Sequence, residues 1–113
     1  MVITKRVYDP VSRDDGKRIL IDRLWPRGIK KEDAKVDEWL KDIAPSTELR
    51  KWFAHDPAKW PEFKKKYISE LKKKSGLVEK LRAEAKKGTI TLLFAAKDVE
   101  HDNAVVLKEL IEQ

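Results

Sequence analysis

The sequence contains no cysteine, which removes disulfides, thiolate metal sites and cysteine nucleophiles together. Histidine is almost as scarce, with His55 and His101 alone. They form no His-x-x-x-His pair, and a metal site needs both of them plus carboxylates, so neither a metal nor another cofactor is expected. No apolar run approaches the roughly 20 residues of a membrane span. The start, Met1-Val2-Ile3-Thr4-Lys5-Arg6, carries no apolar signal-peptide core. The expected location is therefore the cytoplasm, with no membrane partner. Repeats and low-complexity segments are absent, and 113 residues leave no room for a second independent core, so residues 1–113 are expected to form a single domain.

What is abundant is charge. Apolar residues make up 41% of the chain and Asp, Glu, Lys and Arg another 41%, so a core can form under an unusually charged surface. The net charge of +6 rests mostly on Lys64-Lys65-Lys66, Lys72-Lys73-Lys74 and Lys86-Lys87. Clustered cations of this kind neutralise phosphates, which suggests a nucleic-acid partner. The same segments carry Glu62, Glu70, Glu79 and Glu84, and a solvated helix surface explains them equally well. Abundant Lys and Glu without Cys is also the surface chemistry of proteins from hot environments.

Three segments read as strands. Residues 2–8 are β-rich and end at the Asp9-Pro10 turn; residues 18–22 form a short apolar run bounded by charges; Thr89 to Ala96 follow Gly88 almost without polar interruption. The last has the pattern of a central strand covered on both faces. Helical spacing links Val36, Trp39, Leu40 and Ile43, then Leu49, Trp52 and Phe53 behind a Ser46 N-cap. A third helix starts with Asp56 as N-cap and Pro57, and turns Trp60, Phe63, Tyr67 and Leu71 inward. A fourth holds Leu77, Val78, Leu81 and Ala85 and stops at Gly88; a last one runs from about Asn103 to Glu112. Strands alternating with helices predict a small three-layer-like α/β domain, its short, mostly parallel sheet flanked by about five helices. Roughly ten residues join the first two strands, which is short for a parallel crossover and leaves an antiparallel pair open.

Ligands of open parallel sheets bind beyond the carboxyl ends of the strands. Three clusters follow the strands here: Tyr8-Asp9, Asp22 to Gly28, and Lys97 to Asn103. Arg23 and Arg27 offer planar bidentate donors to an anion, and the start of the last helix adds a partial positive charge. His101 is the natural acid or base, because histidine ordinarily titrates near neutrality; Asp22 or Asp98 can orient it. Tyr8, Trp25, Gly28 and Asn103 complete the expected ligand-binding set. His55-Asp56 is a second, weaker pair. Each has a structural alternative: Asp22 to Arg27 as a structural knot, Asp102 or Asn103 as a helix cap, Asp56 as the N-cap before Pro57. Ser12, Ser46, Ser69 and Ser75 lie in no nucleophile elbow.

Arg6-Val7-Tyr8-Asp9-Pro10, Asp22-Arg23-Leu24-Trp25-Pro26-Arg27-Gly28, Leu49 to Phe53 with His55-Asp56, and Leu92 to Asp98 with His101 and Asn103 resemble, in order, the YeaO-like branch of the domain of unknown function 488 family. The resemblance spans nearly the whole chain. It implies a parallel sheet, since longer members have a fuller helix between the first two strands. Those members often carry cysteine in the third-strand region and a Cys-His-Arg-like run near His101, where Phe94 and Asp102-Asn103 stand here. Thiol chemistry therefore does not transfer. Some members are labelled transcription regulators, yet no helix-turn-helix with a basic recognition helix is present.

The expectation is a small enzyme or ligand-binding protein for an anionic, phosphorylated or nucleotide-like molecule at the carboxyl edge of the sheet. The alternatives are a nucleic-acid-binding or regulatory module using the lysine-rich helices, and a protein-interaction domain built on exposed aromatics.

Overall fold

The structure, a computed structural model, describes all residues from Met1 to Gln113. Its sheet holds β1 (Val2–Arg6), β2 (Lys17–Leu20), β3 (Glu38–Trp39) and β4 (Ile90–Phe94) in the order β1-β4-β2-β3. Every neighbouring pair is parallel, with Leu92 of β4 opposite both Thr4 and Ile19. The apolar run of β4 occupies an inner position with all five residues buried, as a strand flanked on both edges and both faces requires. The first two strands are not partners. β4 lies between them, so the ten-residue link from Val7 to Gly16 joins two parallel strands that never pair with each other. That link is closed by a capping box, Ser12 Oγ accepting from the Asp14 N–H and Asp15 from the Ser12 N–H. Gly16 ends it at φ +61°, where an added Cβ would lie 2.0 Å from the Thr89 carbonyl oxygen.

Five α-helices surround the sheet: α1 (Lys31–Ala34), α2 (Thr47–Phe53), α3 (Trp60–Lys72), α4 (Ser75–Lys87) and α5 (Asn103–Glu112). Ser46 caps α2 through the Leu49 N–H, and Asp56 caps a single 3-10 turn at Pro57–Lys59 that leads into α3. Strand alternation sends Ile19, Ile21, Leu92 and Phe94 to one face, where α2 to α5 bury Phe53, Phe63, Tyr67, Leu71, Leu81 and Leu107 against them. Each such side chain contributes roughly 1.5–3 kcal/mol by leaving water. Leu20 and Leu93 point to the other face, where only α1 is available, and Trp25 and Trp39 pack over the gap edge to face at 5.4 Å.

One expected helix is replaced. Val36, Trp39, Leu40 and Ile43 have helical spacing, yet the segment forms β3 and a 3-10 turn at Lys41–Ile43. The open edge of β2 decides it: the Asp37 and Leu40 amides donate to the Arg18 and Leu20 carbonyls at 2.8 and 2.9 Å, and the Asp37 carboxylate receives the Arg18 N–H. Pairing with an exposed edge outweighs a short helix that stands alone. Arg18 itself is buried. Its guanidinium donates to Asp15 at 2.5 Å and to the Ala34 and Lys35 carbonyls, closing the end of α1. No helix is long and apolar enough to cross a membrane.

Candidate functional site

β1, β2 and β4 end on the same edge, so the three loop clusters meet there. They line a cleft of about 580 Å³ together with Ala44, Pro45, Arg50, Phe53, His55 and Phe63 from beyond β3. A second hollow, of about 520 Å³, lies at the opposite edge around Met1, Arg13 and Thr89; it is more open and is lined by six residues only.

Of the residues expected at the site, Tyr8, Asp22, Arg23, Trp25, Arg27, His55, Asp98, His101 and Asn103 line the cleft. Gly28 and Asp56 do not. Gly28 takes φ +76° in the turn after Arg27, and Asp56 accepts the Ala58 N–H. Several of the others are tied into the frame. Asp22 accepts the Ala95 N–H at 2.9 Å and the Asn103 amide at 3.2 Å, and Asn103 also donates to the Ile21 carbonyl. Asp22 thus staples the end of β2 to β4 and α5. Burial raises its pKa, the Ala95 and Asn103 donors partly opposing that rise. Arg23 donates to the Ala44 carbonyl at 3.2 Å, Trp25 to the Ile29 carbonyl and the Tyr8 hydroxyl to the Arg27 carbonyl.

His101 is paired with Asp98, Nδ1 to Oδ2 at 2.9 Å, and its ring stands edge-on to Trp60 at 5.3 Å. The Glu100 N–H, then the His101 ring, hold the Asp98 carboxyl below its ordinary value. An ionised carboxylate accepts, so Nδ1 carries the proton. It is therefore Asp98, and not Asp22, that orients His101.

Asp102 and Arg50 carry chemistry that the strand-end pattern did not single out. Asp102 caps α5 through the Val105 N–H, is only 3% exposed, and leaves Oδ2 without a partner. Burial pushes its pKa up to about 6, opposed by the Val105 and Ala104 amides and reinforced by the charges of Asp22 and Asp98. Arg50 comes from the middle of α2, and the Leu49-Arg50-Lys51-Trp52-Phe53 motif was the one signal for it. Arg50, Arg27 and Lys97 line the cleft, are exposed, and make no side-chain bond within the protein. Four cations, counting Arg23, thus face three carboxylates, Asp22, Asp98 and Asp102. Phe53 and Phe63 stack at 4.2 Å on the floor and continue to Trp60.

Residues 1–113 match the family described as "Inactive DUF488-N3 subclade". The chain is 49% identical over 105 residues to the uncharacterized protein YeaO of Escherichia coli (strain K12), covering 93% of this chain and 91% of the relative. It is 42% identical over 106 residues to the uncharacterized protein Rv3073c of Mycobacterium tuberculosis (strain ATCC 25618 / H37Rv), covering 94% and 89%. No solved structure matches it. The chain belongs to the DUF488 family, in the subclade described as inactive.

Proposed function

We propose that this domain binds a small organic anion, a phosphorylated molecule with an apolar body, in the cleft at the carboxyl edge of the sheet, and that it binds without transforming it. The observation that carries this reading is the set of three uncommitted cations, Arg27, Arg50 and Lys97, around a cleft floored by Phe53 and Phe63. Cations without internal partners attract an anion at no loss of existing ion pairs, and Arg adds bidentate geometry. The aromatic floor accepts the ligand's apolar part.

Binding is favoured over catalysis by the residue types available. The cleft has no Ser, Thr or Cys, Asp22 is engaged in joining strands, and the one side-chain hydroxyl in the lining, that of Tyr8, is bonded to the Arg27 carbonyl and not to the His101–Asp98 pair. The subclade's description as inactive agrees with this.

Calorimetric titration with inorganic phosphate and phenyl phosphate at low ionic strength tests it. Phenyl phosphate is expected to bind with Kd below about 1 mM, more tightly than inorganic phosphate, and without release of phosphate. Arg27→Ala and Arg50→Ala should each weaken it by about tenfold, the value of one charge-assisted contact. Absence of binding, or hydrolysis of the ester, contradicts the proposal.

A further inference from the structure

α2 does not end on glycine. Ala54 and His55 are consecutive residues with positive φ, +47° and +57°, a backbone region that side chains with a Cβ seldom occupy and that glycine takes freely. The Ala54 position has an ordinary use, since its N–H closes the helix on the Arg50 carbonyl. His55 completes this reversal: the Asp56 N–H returns to the Phe53 carbonyl at 3.0 Å across Ala54 and His55, a turn that requires positive φ at both residues but no particular side chain. The His55 side chain forms no hydrogen bond within the protein, is exposed, and lines the cleft one turn of chain from Arg50. Its ring lies 6.4 Å from that of Phe53, at the opposite end of the aromatic wall from His101, which meets the same wall at Trp60. A turn position that favours glycine, filled at the cleft by a histidine whose one aromatic neighbour is Phe53 and whose ring nitrogens make no hydrogen bond within the protein, points to a residue retained for what it touches outside the protein.

We infer that His55 is a ligand-contacting residue, held in a left-handed backbone so that its imidazole reaches the anionic group bound beside Arg50. This rests on the anion-binding reading of the cleft. An imidazole N–H directed at a phosphate oxygen complements the planar Arg50 donor, and the reversal of the chain at Ala54–His55 is what brings a side chain back toward the cleft after the helix has ended. Asp22 lies within electrostatic reach of both Arg50 and His55, which places the three groups on one side of the cleft.

The inference separates from a merely structural role by comparing two substitutions at one position. His55→Gly removes the imidazole and relieves the backbone, whereas His55→Ala removes the imidazole and keeps the strain. Thermal unfolding and phenyl phosphate titration of both, with Ala54→Gly as control, give four readable outcomes. Support takes the form of an increase in Tm of about 3 °C for His55→Gly and Ala54→Gly but not His55→Ala. Alongside it, affinity falls about tenfold in both His55 variants and is unchanged in Ala54→Gly. A more stable His55→Gly that binds as well as the parent overturns the inference and leaves the anion-binding reading in place. A His55→Gly no more stable than the parent overturns it too, because the position is then unstrained. Failure of the parent protein to bind phenyl phosphate overturns both together.

Discussion

Asp102 joins two roles that pull its ionisation in opposite directions. As N-cap it accepts the Val105 N–H and complements the start of α5, while burial and the neighbouring Asp22 and Asp98 raise its pKa to about 6. A carboxyl whose folded pKa lies above its unfolded value contributes stability fully below the unfolded pKa, near 4, and loses it as pH rises through about 6. At pH 7 the charged form is therefore a liability. Asn keeps the cap without the charge, so Asp102→Asn is expected to stabilise the fold by about 1–2 kcal/mol at pH 7 and by little at pH 4. Urea unfolding at the two pH values checks this. The same ionisation acts on the cleft: its negative charge decreases below about pH 6, so affinity for an anion whose own charge is constant over the range, such as phenyl sulfate, should rise from pH 7.5 to 5.5. Little of this was legible in the sequence. Asp102 and Asn103 could be recognised as helix-start residues, but an unpartnered buried oxygen depends on what the fold stacks around it.

At the scale of elements, sequence pattern was most informative where one segment's own chemistry sufficed. Thr89 to Ala96 reads as a central strand because it is apolar throughout, and Asp56-Pro57 reads as a start because cap and proline fit no other position as well. The segment from Val36 to Ile43 misled because two residues of strand leave no periodicity to detect, and the exposed β2 edge that recruits them is distant in sequence. Tyr67 shows how that segment is then held. Its buried hydroxyl donates to the Ile43 carbonyl at 2.7 Å, linking α3 to the turn after β3. Tyr67→Phe keeps the ring and strands a buried carbonyl, so a loss of about 1–2 kcal/mol is expected in chemical denaturation. Hydrogen exchange at Asp37 and Leu40 should quicken with it, since their amides hold β3 to β2. Unchanged exchange there would show that the hydroxyl does not anchor the strand.

For the whole molecule, the question is where the +6 charge acts. Part of the lysine excess on α3 and α4 is engaged: Lys64 pairs with Glu109, Lys66 with Glu62, and Lys80 with Glu38, while Lys59 and Lys66 lie over the Trp52 ring. Such surface pairs add little stability but do reduce the field available to a polyanion. The cations of the cleft have no such partners. The convergence of Tyr8, Asp22 to Arg27 and Asp98 to Asn103 was legible because parallel strands must end on one edge. Arg50 and His55 were harder to place, because they reach that edge through the tertiary position of α2. The most direct test is amide chemical-shift mapping during a phenyl phosphate titration. The account predicts perturbations confined to Arg27, Arg50, Phe53, His55, Phe63 and Ala95 to Asn103. Shifts centred on Lys65, Lys73 and Lys86, with the cleft silent, would contradict it.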